Sequence, residues 1–277
     1  TILKGISGEF RGSELSVIVG PSASGKSSLL NVLSGYTKDN VTGELKINDA
    51  PVHANSIRKL SSYIMQENEL HMFLTVYETM MFAASFKCSN SQQKRKLIEK
   101  ILIALQVNDK TKYFVKYLSG GEQKRLSIAI ELVDDPSILF LDEPTTGLDS
   151  SSSTLCIQLL KTLAEQGKTI VCTIHTPSAL LFEEFDHVYS LADGCCIYQG
   201  SSKNVVPFLN ELNLICPEIY SPCDFLLEIA TNDYGPQNNR LTEKIENGRN
   251  SSFRKIQITT LEGDLNLQLP NEAKISK

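Results

Sequence analysis

An α/β fold built on a mainly parallel sheet is what this sequence predicts, and three observations carry that prediction. Beyond Pro136, apolar strand runs alternate with helical patterns: SILFLDE, then 150–166, then TIVCTIH. That alternation is the rhythm of parallel strands joined by right-handed crossovers. A glycine-rich turn, GPSASGKSS at 20–28, follows a short apolar run and opens a helix. Between these regions, residues 67–135 read largely as helix and are expected to form a lobe of their own.

Taken in order, TILKGISGEF opens the chain as an apparent strand, and LSVIV at 15–19 is a buried one. A helix follows through Leu33, with Gly35 as its C′ stop. ELKINDAPV (44–52) reads as a strand with an Asn-Asp turn, and SYIMQ (62–66) as another strand. Thr75 and Glu78 in TVYE form a capping box before MMFAASF. Residues 94–107 make an amphipathic helix whose charges form a solvated face. GGEQKRLSIAIELV is a third helix, with Leu126, Ile130 and Val133 on one side. In 150–166, Leu155, Leu159 and Leu163 recur at spacing four. Thr176 and Pro177 are placed to start a short helix, and HVYSLADGCCIYQ reads as a hairpin. From about Asn232 the chain turns polar and reads as a linker or tail over 233–277.

With 277 residues the chain can bury a large core. Its net charge of −5 gives no argument for nucleic acid. Seven cysteines with no CxxC spacing read as reduced core thiols. No apolar run approaches the roughly 20 residues of a membrane helix. There is no leader-like segment, and the start without Met reads as that of a fragment.

Gly20, Pro21, Ser22, Ala23, Ser24, Gly25, Lys26 and Ser27 fit G-x-x-x-x-G-K-[ST], the Walker A pattern, and Ser28 follows. Glycines let the backbone approach phosphates, while N–H groups and the helix dipole hold their charge. Lys26 reaches the β and γ phosphates of a nucleotide, and Ser27 puts its hydroxyl on Mg²⁺. ILFLDE at 138–143 ends an apolar strand on two carboxylates, where ligands of parallel sheets bind. Asp142 is then the Mg²⁺ carboxylate and Glu143 the group that polarises the attacking water. A DE pair alone is weak evidence; beside a phosphate loop it is strong. Gln66 and His175 each end a strand. The first is a candidate Mg²⁺ ligand and γ-phosphate sensor, the second a partner of the γ-phosphate and the water. No NKxD motif points to a GTPase.

GPSASGKS, Gln66, LSGGE (118–122), ILFLDE, TGLD (146–149) and His175 occur in the order of an ABC-type ATPase. The chain resembles the nucleotide-binding domain of an ABC transporter. ILKGISGEF, CTIHTPSALLFEEFD (172–186) and SPCDFLLEIA (221–230) resemble subfamily G half-transporters. The resemblance spans about residues 2–235. It implies a P-loop NTPase core with a mainly parallel sheet, an antiparallel β-subdomain and a helical subdomain at about 67–135. Residues 1–232 are then the ATPase domain and 233–277 a linker toward a membrane domain that follows.

The resemblance also implies ATP and Mg²⁺ as ligands and a second nucleotide-binding domain, identical or related, as partner. Ser119, Gly120 and Gly121 would clamp the γ-phosphate held by that partner, and Asp149 would cross the same interface. The implied activity is ATP hydrolysis powering export of a lipid-like or other hydrophobic substrate from the cytoplasmic face of a membrane. A soluble ABC ATPase not coupled to transport is the alternative. Where the family loop commonly reads GPSGAGKST, Ala23 replaces a glycine and Ser28 a threonine. Ala23 keeps its N–H, so phosphate binding survives unless that position needs a positive φ. SPCDF carries Ser221 and Cys223 where the family usually has Asn and Ala. The aromatic that stacks on adenine in many relatives is expected before residue 1.

Overall fold

The computed structural model describes residues 2–37, 39–87 and 90–254. In chain order the elements are β1 (Leu15–Val19), α1 (Lys26–Leu33), β2 (Lys46–Ile47), β3 (Ala50–Pro51), α2 (Ala54–Leu60), β4 (Ser61–Ile64), α3 (Val76–Ser85), α4 (Ser91–Ala104) and α5 (Gly120–Leu132). They continue with β5 (Ile138–Leu141), α6 (Ser150–Glu165), β6 (Thr169–Thr173), α7 (Ala179–Glu183), β7 (His187–Ala192), β8 (Cys195–Gly200), α8 (Val205–Glu211), α9 (Pro222–Ala230) and α10 (Asn238–Lys244).

Six strands form one sheet in the order β4-β5-β6-β1-β7-β8. All neighbours are parallel except β8, which returns antiparallel on β7. The β7–β8 turn holds Asp193 and Gly194 at φ 50° and 78°, the pair of positive values that a tight hairpin turn requires. β1 is buried along its whole length. A central parallel strand covered on both faces needs apolar residues on both, so LSVIV reads as a run rather than an alternation.

Helix starts follow their caps. Thr75 and Glu78 make the expected capping box on α3: the Glu78 N–H donates to Thr75 Oγ1 (3.2 Å), and the Thr75 N–H donates to Glu78 Oε2 (2.8 Å). α6 turns Cys156, Leu159, Leu160 and Leu163 inward, and Leu155 lies at the edge of that stripe. α5 buries more than one side: Lys124, Arg125, Leu126, Ile128, Ala129 and Leu132 are all covered. It packs against α3, α4, α6 and β4, so a single apolar stripe does not describe it.

Five expectations are corrected. Residues 2–14 form no strand; the segment is held by isolated bonds such as Lys4 N–H to Gly194 O (2.8 Å) and Ser7 N–H to Asn247 O (3.0 Å). The expected Asn-Asp turn is present, with Asn48 and Asp49 both at positive φ, but it splits the expected strand of 44–52 into the two short strands of a hairpin, β2 and β3. β4 stops at Ile64 and β6 at Thr173, leaving Gln66 and His175 in the loops beyond. α7 starts at Ala179 under a Ser178 cap, since the Thr176 hydroxyl bonds the His175 ring instead. Finally, part of the stretch read as a linker is folded onto the sheet. Leu241 and Ile245 are fully buried, and the Arg254 guanidinium meets Glu14 at 2.5 Å. Sparse apolar residues hid it, because two well-placed side chains are enough to seat one short helix. Residues 255–277 of that expected linker lie outside the described residues.

Candidate active site

The carboxyl ends of β1, β4, β5 and β6 share one edge, and the candidate residues lie there. β1 runs directly into the loop at 20–25. Gly25, at φ 107°, caps α1 without any side-chain bond; a left-handed turn at that point suits glycine and leaves the first amides of the helix free to face an anion. Ser24 is buried with its hydroxyl unpartnered. Ala23 sits at φ 63°, so this position does require the left-handed backbone, at a cost of roughly 1–2 kcal/mol for a residue with a Cβ.

Lys26 is buried and folds its ammonium back into the loop, donating to Gly20 O (2.8 Å) and Pro21 O (3.0 Å). Burial lowers its pKa, while the facing carboxylates Glu143 and Asp142 oppose that shift.

Asp142 gathers three hydroxyls. Its Oδ1 accepts from Ser27 (3.1 Å) and from Thr173 (2.5 Å), and its Oδ2 accepts from Tyr63 (3.3 Å). Burial, helped by Asp142, drives the Tyr63 pKa far above the usual phenol range, keeping it a donor. Glu143 stands at φ 45°. Its N–H donates to Thr173 Oγ1 (2.9 Å), and its Oε2 accepts from Thr146 (2.9 Å).

The His175 ring is held at both nitrogens: Nε2 lies 2.8 Å from Ser22 Oγ and Nδ1 lies 3.0 Å from Thr176 Oγ1. The histidine and the phosphate loop are therefore in direct contact. Gln66 is exposed. Its backbone, with that of Met65, is tethered by the buried Lys124 of α5, whose ammonium donates to both carbonyls at 2.9 Å.

Ser119 caps α5 in a capping box with Glu122. Asp149 caps α6, accepting from the Ser152 N–H (3.2 Å) and the Ser151 hydroxyl (2.5 Å). The Ser151 bond, then that of Ser152, holds its carboxyl well below the usual range. These two helix starts touch. A Cβ on Gly121 would stand 2.8 Å from Ser152 Cβ, and one on Gly120 would stand 3.4 Å from Leu148 Cδ2. Among the described residues no hydrogen bond joins Ser119, Gly120, Gly121 or Asp149 to the loop at 20–28. The candidates thus form two groups: phosphate loop, Asp142, Glu143 and His175 in one, Ser119–Gly121 and Asp149 in the other.

Sequence reading missed Thr173, Tyr63, Thr146, Thr176 and Lys124. Ser119 and Glu122 did carry a local signal, S-x-x-E before an apolar run, that marks a second capping box. A hydroxyl within an apolar strand carries no local signal of its partner across the sheet.

The groups fit a nucleotide with Mg²⁺. The free amides of α1 and the unpartnered Ser24 hydroxyl suit phosphate oxygens. Among the described residues no three His, Cys, Asp or Glu could hold a metal ion together. Ser27 and Asp142 supply only two oxygens, which suits Mg²⁺, an ion that completes its shell with water and substrate phosphates.

The family described as "ABC transporter" matches residues 3–146. ABC transporter G family member 26 of Arabidopsis thaliana is 40% identical over 239 residues, covering 83% of this chain and 35% of that protein. The broad substrate specificity ATP-binding cassette transporter ABCG2 of Bos taurus is 38% identical over 228 residues, covering 79% and 35%. The chain therefore spans about a third of the length of these curated relatives. Among solved structures, cbiO1 from Clostridium perfringens, part of the ABC transporter complex cbiONQ, superposes with a TM-score of 0.69 at 28% identity, covering 79% of this chain and 90% of that one. MJ1267, an ATP-binding cassette in its ADP conformation, gives 0.65 at 21%, covering 77% and 91%, which speaks for the fold alone. A phosphate loop facing Asp142, Glu143 and His175 on such a sheet, together with these matches, places the sequence: the chain belongs to the ABC transporter family, as an ATPase domain like those of its G-family members.

Proposed function

We propose that this chain binds MgATP at residues 20–28 and hydrolyses it as the motor of a half-transporter exporting a lipid-like or other hydrophobic substrate. The observation that carries the ATPase reading is the meeting of Ser27 and Asp142 at 3.1 Å, with Glu143 next to them. Mg²⁺ held by Ser27, Asp142 and Gln66 would supply charge neutralisation at the β and γ phosphates. Lys26 leaves the Gly20 and Pro21 carbonyls to meet those phosphates. Glu143 orients the attacking water and takes its proton. His175, already anchored on Thr176, exchanges Ser22 for the γ-phosphate. Little covalent chemistry falls to the protein; positioning and charge do the rest.

In this reading two nucleotide-binding domains pair head to tail. Ser119 and Gly120 are exposed at the uncovered start of α5, and Asp149 is exposed at the start of α6. Their separation from the chain's own phosphate loop supports a clamp closing on the nucleotide of a partner domain. Lys124 joins the Gln66 loop to the helix that begins at Ser119, so the two halves of the site move together.

Transport is supported by the names of the relatives and by exposed aromatic rings on the helical region. Phe73 and Tyr117, 80% and 67% exposed, gather around the Lys116 ammonium, 5.3 and 4.9 Å from their ring centroids. We assign this surface to a membrane domain following in the chain, which puts the ATPase on the cytoplasmic face. No described helix is long and apolar enough to cross a membrane itself.

The test is Glu143→Gln. It is expected to keep ATP-dependent pairing, measured by sedimentation velocity, and to stop phosphate release. Normal turnover in that variant would remove Glu143 as the base.

A further inference from the structure

We propose that Thr173, at the carboxyl end of β6, is the positioning residue that locks the Asp142 carboxylate and the Glu143 backbone into one unit. The inference deepens the ATPase reading and rests on it. Thr173 is fully buried. Its hydroxyl donates to Asp142 Oδ1 at 2.5 Å and accepts the Glu143 N–H at 2.9 Å. A hydroxyl has one proton and two lone pairs, so both bonds form together with fixed direction: the proton goes to the carboxylate and a lone pair to the amide. Among the described residues, Thr173 alone hydrogen-bonds to both Asp142 and Glu143.

Two features make that double bond consequential. Glu143 stands at φ 45°, a backbone state that a residue with a Cβ keeps only when its surroundings hold it there. The Thr173 hydroxyl supplies the hold at the amide, and Thr146 restrains the carboxylate at the other end. Asp142 Oδ1 is in turn fixed by two separate segments, by Ser27 at the start of α1 and by Thr173 on the neighbouring strand β6. Valine in place of Thr173 keeps the shape and strand preference but removes the hydroxyl. It strands the Glu143 N–H and releases one flank of the carboxylate.

The test compares Thr173→Val with Thr173→Ser on the folded chain. One readout is the Mg²⁺ concentration giving half-maximal binding of a fluorescent ATP analogue; the other is turnover, resolved into kcat and KM. Loss of a charge-assisted hydrogen bond corresponds to about tenfold or more. Valine is expected to raise the Mg²⁺ requirement about tenfold and to lower kcat by at least that factor, with KM for ATP changed less than about twofold. Serine is expected to restore both. A valine variant with wild-type Mg²⁺ requirement and kcat, beside an inactive Glu143→Gln, overturns the proposal and leaves the ATPase reading intact. A lowered melting temperature with an unchanged Mg²⁺ requirement makes Thr173 merely structural and overturns it too. Normal turnover by Glu143→Gln removes Glu143 as the base and the proposal with it, whereas no ATP turnover by the unsubstituted protein removes the ATPase reading. Should the valine variant not fold, Thr173→Ala is put through the same comparison.

Discussion

Ser27 and Asp142 lie 115 residues apart, yet the serine hydroxyl donates to the aspartate across 3.1 Å. That contact joins the first helix to the end of β5 and fixes where two oxygens converge. Asp142→Asn is therefore expected to weaken Mg²⁺-dependent nucleotide binding at least about tenfold while leaving binding in EDTA within about twofold. Titration of a fluorescent ATP analogue with and without Mg²⁺ checks this. Equal losses under both conditions would take Asp142 out of the metal site.

Ala23 holds the phosphate loop at φ 63°. Replacing it with glycine removes about 1–2 kcal/mol of left-handed strain but adds about 0.4–1 kcal/mol of chain entropy in the unfolded state. Ala23→Gly is expected to gain roughly 0.5–1 kcal/mol in urea unfolding. A loss of stability would show that the methyl is held by contacts worth more than the strain.

Gly121 lets α5 and α6 approach at their starts. A methyl there meets Ser152 Cβ and Oγ at 2.8 Å, and crowding of that kind costs about 1–3 kcal/mol. Gly121→Ala is expected to destabilise by that amount, with partial recovery in Gly121→Ala/Ser152→Gly. Additive effects in the double variant would deny the contact.

His187 is fully buried against Phe10, ring centroids 5.6 Å apart, and neither ring nitrogen has a partner. Burial, then the charges of Arg254 and Arg11, push its pKa down to about 3. An unfolded histidine titrates near 6.5. Between those values the unfolded chain binds a proton that the folded chain refuses, so stability falls as pH drops through that window. His187→Phe is expected to flatten the decline between pH 6.5 and 5, read from urea unfolding at each pH. Identical slopes for the two proteins would sink the assignment.

Much of the fold was legible because its signals are local. The apolar run LSVIV, the capping box at Thr75 and the Asp193–Gly194 turn each specify an element within a few residues. The phosphate loop and the DE pair were legible for the same reason. What stayed hidden depends on distance. Thr173, Tyr63 and Ser27 converge on Asp142 from three other segments, and nothing near them in sequence announces it. Thr176 looked like a cap because Thr-Pro usually starts a helix, but here the His175 ring claims its hydroxyl. Residues 238–254 looked like a tail because two buried side chains, Leu241 and Ile245, are too few to register as a pattern.

Arg254 pairs with Glu14, the residue that precedes β1, and also donates to the Glu9 carbonyl. At the opposite end of β1 the chain becomes the phosphate loop. Five extended residues span about 17 Å, so that ion pair and the loop at 20–25 stand at the two tips of one stiff rod. Parallel neighbours clamp the rod on both sides. The residue that ends the described chain therefore braces the far end of the very strand that presents the loop at Gly20.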